Sequence, residues 1–318
     1  MKSAIINNPK DIKIVDIEIP ALKENEVLIK MLGCGICGSN LPVWEGREWF
    51  HYPLEPGSPG HEGWGIIDKI GSLVTKFKQG DLVTAITYHA FAEFDITKED
   101  SVIKLPSEFN NSLFPGEPLG CAVNIFNRSN IKSDDYVVVI GIGFIGALLI
   151  PLIKNAGAKV IAINRSKGPL ESAKKLGADY VIQFDDYWKN VDEVKSITNQ
   201  NLADVVIEAT GVQEPLNLAG DLTKVRGRLV IAGYHQDGMR QVNMQMWNWK
   251  GLDVINAHER DPKVYVKGIQ EAVQYVQKGI LKPEDLFTHI YQFDEIKKGF
   301  ETAARRPEGF IKSIIIFN

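Results

Sequence analysis

The first twenty residues, MKSAIINNPKDIKIVDIEIP, alternate apolar and polar positions with the period of a half-buried strand. The same texture continues in short runs broken by glycine and proline. EVLIKMLGCGI, GWGIIDKIGSLV, GDLVTAITY and SVIKLP have the length and spacing of strands in a β-barrel-like domain. Near residue 119 the pattern changes. In YVVVIGIGFIGALLIPLIKNAGAKVIAINRS, a strand that is apolar almost throughout leads into a glycine-rich turn, a helix and a second apolar strand. ADYVIQF, ADVVIEATG, GRLVIAGY and LDVINAH follow, each beside a helix-like stretch. Apolar strands alternating with helices predict a parallel sheet covered on both faces. The tail, FTHIYQFDEIKKGFETAARRPEGFIKSIIIFN, ends in another β-run and is expected to rejoin the first domain. The predicted fold is α/β, with a β-rich domain (1–118 and 283–318) interrupted by a doubly wound parallel-sheet domain (119–282).

Composition narrows the function classes. At 318 residues the chain is long enough for two cores. No apolar run approaches the roughly 20 residues that span a bilayer, and the N-terminal stretch lacks the apolar centre of a signal peptide. A net charge of −4 with no basic block offers no footing for nucleic acid or an anionic membrane. Three cysteines are too few for a disulfide framework and suit the reducing cytoplasm, the expected location.

VVVIGIGFIG places Gly141, Gly143 and Gly146 at G-x-G-x-x-G spacing directly after a strand, with Phe144 and Ile145 between the last two. Within a βαβ unit the first glycine allows the tight turn and the second lets a pyrophosphate approach the helix N-terminus. The third permits close helix–strand packing. An acidic residue at the end of the second strand would mark NAD by accepting a ribose hydroxyl. This chain has Asn164 there, followed by Arg165, Ser166 and Lys167. Nothing at that position repels a 2′-phosphate and two cations stand close by, so NADP is favoured over NAD.

The chemistry of the β-rich domain turns on GCGICGSNLPVW, where Cys34 and Cys37 stand at C-x-x-C spacing. A metal knuckle, a redox pair, and one ligand beside a bystander all fit that spacing. Further along, SPGHEGWG supplies His61 and Glu62, and GEPLGCAVN supplies Glu117 and Cys121. With these residues the chain resembles the zinc-dependent medium-chain alcohol dehydrogenases, a group that includes sorbitol and threonine dehydrogenases. The motifs that carry the resemblance run the length of the chain in family order. They are GICGSN, PGHEGWGIIDKIGSLVTKFKQGDLV, EPLGCAV, VVVIGIGFIGALLIPLIKNAGA and the closing GFIKSIII.

The resemblance implies a GroES-like catalytic domain joined to a Rossmann domain, assembled as a homodimer or homotetramer. It implies Cys37 and His61 as catalytic zinc ligands, with Glu62 as a further ligand or an outer neighbour. The third protein ligand varies among relatives between the positions of Glu117 and Cys121; both are present here, and the EPLG context favours Glu117. Cys34 is then a buried residue on the strand leading to Cys37. The four-cysteine lobe that holds a structural zinc in many relatives has no counterpart, so at most one zinc per chain is expected. Ser39 is expected to take the alcohol proton, and Lys312 of the closing segment is a further candidate cofactor contact.

Two departures stand out, since CGSNLP replaces the CGSDLH common among relatives. Asn40 is expected to accept the His61 hydrogen bond without a carboxylate's charge, and Pro42 replaces a proton-relaying histidine. Trp44, Trp49, Phe50 and Trp247 are candidate substrate contacts. The implied reaction is reversible hydride transfer between a secondary alcohol, in a polyol, sugar or cyclitol derivative, and a nicotinamide cofactor. A metal-free quinone or enoyl reductase and a non-catalytic dinucleotide-binding relative are the alternatives. The Cys37/His61 pair counts against the reductase.

Overall fold

The computed structural model describes residues 1–317. In chain order the strands are β1 (Lys2–Asn8), β2 (Asp11–Asp16), β3 (Glu26–Ile36), β4 (Gly63–Ile70), β5 (Leu82–Ala85), β6 (Phe94–Lys98), β7 (Val102–Lys104), β8 (Tyr136–Ile140), β9 (Lys159–Asn164), β10 (Tyr180–Gln183), β11 (Ala203–Glu208), β12 (Thr223–Ile231), β13 (Asp253–Asn256), β14 (His289–Gln292) and β15 (Ser313–Ile316). The α-helices are α1 (Asn40–Glu45), α2 (Gly116–Ser129), α3 (Phe144–Asn155), α4 (Lys167–Lys175), α5 (Tyr187–Ile197), α6 (Gln213–Leu222), α7 (Met244–Lys250), α8 (Pro262–Gln277) and α9 (Ile296–Arg305). They divide into two compact units. The first takes Met1–Gly120, Val266–Gln274 and the segment from Lys282 onward; the second takes Cys121–Tyr265 and Tyr275–Leu281.

The first unit is the β-rich one. Its main sheet runs β14-β15-β3-β4-β5-β7, with β6 also paired to β3, and β1 and β2 form a separate antiparallel pair. Strand β3 is the spine. Val27, Ile29, Met31, Cys34 and Ile36 along it are buried in one core with Trp44, Phe91 and Phe300. Strand β15 lies antiparallel on β3, with Ile315 opposite Cys34.

The second unit is a Rossmann sheet in the order β10-β9-β8-β11-β12-β13, parallel throughout. Val137, Val138, Val139, Val160, Ile161 and Val206 are fully buried. A strand can be apolar on both faces only if helices cover both, which is why these runs read as continuous rather than alternating. Strand order reverses between β8 and β11, a topological switch point. Ile140 pairs with Ile163 and with Glu208, so β8, β9 and β11 end level and their following turns share one edge. No helix among the described residues is long and apolar enough to cross a membrane.

Candidate metal and dinucleotide sites

Strand pairing builds the candidate metal site. β3 and β4 are antiparallel neighbours with Cys34 opposite Gly63. The turn that leaves β3 at Cys37 and the segment that enters β4 at His61 and Glu62 therefore meet at one sheet end. One ligand atom from each of Cys37, His61 and Glu62 lies within 4.8 Å of the others.

His61 Nδ1 stands 2.9 Å from the Pro59 carbonyl. A carbonyl only accepts, so Nδ1 carries a proton and Nε2 is the ring nitrogen left for a cation, which would displace any proton there. This corrects the role expected of Asn40. Its Oδ1 accepts the Cys37 backbone N–H at 2.9 Å, and its Nδ2 donates to the same Pro59 carbonyl at 3.1 Å. Asn40 is 1% exposed, and a buried amide must satisfy both ends. It ties the Cys37 turn to the group that orients His61, rather than accepting from the ring.

Glu62 and Lys312 form a buried ion pair, with Lys312 Nζ 2.6 Å from Oε1 and 2.5 Å from Oε2. Lys312, expected at the cofactor, thus has its ammonium on Glu62, because a carboxylate removed from water needs a countercharge. Gly35 makes room for it, since a Cβ there would sit 1.9 Å from Glu62 Oε2. Burial lowers the Lys312 pKa, but Glu62, Cys37 and Glu117 raise it more. Burial likewise opposes an imidazolium at His61, yet Cys37, Glu117 and Glu62 push its pKa up to about 10. A site that draws a proton so strongly onto an imidazole fits a divalent cation. A sulfur and an imidazole nitrogen are donors that suit zinc.

Glu117 stands in the first turn of α2, buried, and its charge acts on both His61 and Lys312. Cys121 Sγ lies 3.2 Å from the Tyr265 hydroxyl. Cys34 is fully buried, and burial, followed by the Glu62 charge, holds its thiol far up. Ser39 occupies the N-cap of α1, half-buried, and makes no capping bond.

At the shared edge of the parallel sheet, Gly141 adopts φ +94°, a left-handed conformation that favours glycine. A Cβ at Gly146 would lie 2.0 Å from the Gly141 carbonyl oxygen, so α3 packs tightly onto the turn. Gly143 caps α3 in an extended conformation, Phe144 is buried and Ile145 half-buried. The turn leaves a helix N-terminus suited to a pyrophosphate. Asn164 reaches back to it, accepting the Ile142 N–H at 3.0 Å and donating to the Ser166 carbonyl at 3.2 Å. Arg165 is exposed, 3.9 Å from Glu214, and Ser166 stands at the N-cap of α4.

The tryptophans divide. Trp44 is 2% exposed and packs on Phe300 at 5.3 Å, and Trp247 is 8% exposed in the core of the second unit. Both are core residues rather than substrate contacts, each carried inward on a helix face. Trp49 is 52% exposed, 6.0 Å from half-buried Phe50. Sequence reasoning missed the Pro59 carbonyl and the Glu62–Lys312 pair. A lysine between apolar residues in FIKSIII was the one available signal, since lysine is almost never buried unpaired.

Comparison with known proteins agrees with this architecture. Residues 23–107 match the alcohol dehydrogenase GroES-like domain, and residues 145–274 match the zinc-binding dehydrogenase model. The chain is 26% identical to sorbitol dehydrogenase of Bacillus subtilis (strain 168), covering 100% of this chain and 98% of that protein. It is 26% identical to D-arabitol-phosphate dehydrogenase of Enterococcus avium, over 90% and 89%. Among solved structures, 2R,3R-butanediol dehydrogenase from Bacillus subtilis superposes with a TM-score of 0.86 at 26% identity, covering 100% of this chain and 99% of that one. With both domain models matched in family order along the chain and Cys37 brought to His61 in the first unit, the chain belongs to the zinc-dependent medium-chain alcohol dehydrogenase family.

Proposed function

We propose that this protein is an NADP-preferring oxidoreductase that interconverts a secondary alcohol, in a polyol, sugar or cyclitol derivative, and the corresponding ketone at a single catalytic zinc. The observation that carries this reading is the convergence of Cys37, His61 and Glu62 within 4.8 Å. Relatives named for sorbitol, D-arabitol phosphate and butanediol support a substrate with adjacent hydroxyls. The acting assembly is proposed to be a cytoplasmic homodimer or homotetramer.

Cys37, His61 and Glu117 are the proposed zinc ligands. Glu117 acts electrostatically on His61, whereas the Cys121 sulfur meets Tyr265. Glu62 is drawn to Lys312 and serves as a reserve carboxylate. When bound, zinc supplies Lewis acidity toward the substrate oxygen and the nicotinamide supplies a hydride acceptor. The chain's own residues do the rest. The Pro59 carbonyl holds the His61 ring so that Nε2 faces the ligand position. Ser39, with no capping bond to hold its hydroxyl, accepts the alcohol proton as it passes its own hydroxyl proton on to solvent water. The Gly141–Gly146 turn receives the pyrophosphate. Asn164 braces that turn without adding a negative charge, and Arg165 and Lys167 favour a 2′-phosphate.

Elemental analysis of the full chain, purified without chelator, tests this reading alongside Cys37→Ala, Glu117→Gln and Cys121→Ala. The expected result is about one zinc per wild-type chain, lost in Cys37→Ala, reduced in Glu117→Gln and retained in Cys121→Ala. Polyol oxidation by wild type is expected to be faster with NADP than with NAD. A wild-type chain that stays zinc-free after reconstitution would overturn the reading.

A further inference from the structure

At the C-terminal edge of the parallel sheet, beside the strand-order reversal, lies a polar cluster that the metal and phosphate chemistry does not use. Glu208, the last residue of β11, is fully buried. Its Oε1 accepts from the Thr210 and Gly211 backbone N–H groups at 2.6 and 2.9 Å and from the Thr210 hydroxyl. Its Oε2 lies 2.9 Å from His235 Nε2. On the other side of the ring, Arg240 Nε donates to His235 Nδ1 at 3.0 Å. The guanidinium continues to the Gly211 and Asp237 carbonyls at 3.0 and 3.3 Å. Gln213 and Gln241 add a two-bond bridge, at 2.6 and 2.9 Å, between the start of α6, directly after the turn that follows β11, and the loop after β12.

This relay fixes the tautomer of the neutral ring. A guanidinium only donates, so Nδ1 must accept, and a neutral imidazole then carries its proton on Nε2 and gives it to Glu208. A protonated ring would present N–H at both positions, setting a donor against a donor and a cation against a cation at Arg240. Glu208 from β11 and Arg240 from the same loop are the charged groups hydrogen-bonded to the ring, with Asp237 in that loop. The segment after β13 meets the loop through His258, stacked on Tyr234 at 5.7 Å, with Arg260 and Glu259 acting on that imidazole.

The two joined segments approach very closely. A Cβ at Gly233 would lie 2.2 Å from the Gly211 nitrogen and 2.7 Å from Glu208 Oε2. They border the crevice on the β11 side of the reversal. With a pyrophosphate on the turn after β8, that is the side on which a dinucleotide's nicotinamide half falls in sheets of this order.

We propose that Glu208, His235 and Arg240 form a latch, closed while the imidazole is neutral, that holds loop 233–241 where it receives the nicotinamide half of the cofactor. Protonation of His235 opens the latch and weakens dinucleotide binding. His235 is a positioning residue in this scheme, which rests on the dinucleotide reading given above.

The test measures the affinity of the full zinc-loaded chain for NADPH or NADH, whichever wild type binds more tightly, by nicotinamide fluorescence at about pH 7.5 and about pH 5.5. The matching adenosine half, 2′,5′-ADP or 5′-ADP, is titrated by calorimetry in parallel. His235→Gln offers an N–H to Glu208 and a carbonyl to Arg240 but cannot titrate, and His235→Phe keeps the volume and abolishes the relay. Wild type is expected to lose about tenfold in reduced-dinucleotide affinity at the lower pH, the effect of one lost charge-assisted hydrogen bond. His235→Gln matches wild type at the higher pH and keeps that affinity at the lower. His235→Phe is about tenfold weaker at both. Arg240→Met reproduces the Phe result at the higher pH should His235→Phe fail to fold. Adenosine-half affinity stays constant throughout. Equal dinucleotide binding by wild type and His235→Phe, or the same acid loss in His235→Gln, overturns the latch while leaving the dinucleotide reading intact. Failure of wild type to bind either the dinucleotide or its adenosine half overturns both.

Discussion

Asn40 commits both ends of its amide to backbone, and that choice decides how the metal site is braced. One end holds the Cys37 turn and the other shares the Pro59 carbonyl with His61. Such outer partners set ligand direction, and their loss typically costs metal affinity about 10- to 100-fold. Asn40→Ala is therefore expected to weaken zinc binding at least about tenfold while His61 and Cys37 remain in place. Competition with a chromophoric chelator measures this, and an unchanged dissociation constant would show that Pro59 alone suffices. The same residue shows what a motif hides. The substitution of Asn for Asp was visible in CGSNLP, but its hydrogen-bond partners were not, because amide and carboxylate differ in having a donor end and only the fold says what that donor meets.

At the scale of elements, tight packing shapes the proposed dinucleotide site. In Gly146→Ala the new methyl meets the Gly141 carbonyl oxygen at 2.0 Å, so the turn or α3 must shift. Dinucleotide affinity is expected to fall about tenfold or more, with zinc content unchanged. Isothermal titration with metal analysis separates the two, and an unaltered affinity would mean that the turn is not the phosphate cradle. In the first unit, Asp81, at the entry to β5, is braced by Lys104 at the end of β7, 2.7 Å away. Burial raises the Asp81 pKa, but the Lys104 and Lys78 contacts outweigh it and the carboxyl is held below its usual range. A folded pKa below the unfolded one stabilises the fold at neutral pH, and that contribution is lost as pH falls below about 4 and through the folded value. Asp81→Asn is expected to flatten the acid limb of the stability curve, read by urea midpoints between about pH 5 and about pH 2. An unchanged slope would assign the acid limb to other carboxylates.

At the scale of the whole molecule, the proposed metal ligands and the glycine turn lie on different compact units. Removing zinc with a chelator is expected to raise amide exchange at residues 37–40 and 59–63, which position the ligands, and to leave residues 141–146 unchanged. Hydrogen-exchange mass spectrometry reads both segments in one experiment, and equal deprotection of the glycine turn would show the metal site acting on the second unit. The sequence by itself determined the features that are periodic or contiguous. Among them are the β3 run EVLIKMLGCGI, the all-apolar strands of the parallel sheet, the glycine turn, and the order in which Cys37, His61 and Glu62 enter the chain. Local backbone geometry and the burial of a strand face leave a period in the sequence, so these are legible without partners. Tertiary structure alone decided the rest. It placed Lys312 on Glu62 across 250 positions, turned Trp44 and Trp247 into their cores, and set His235 between Glu208 and Arg240. These outcomes depend on which distant buried groups must satisfy one another's charge and hydrogen bonds, and no local pattern records that pairing.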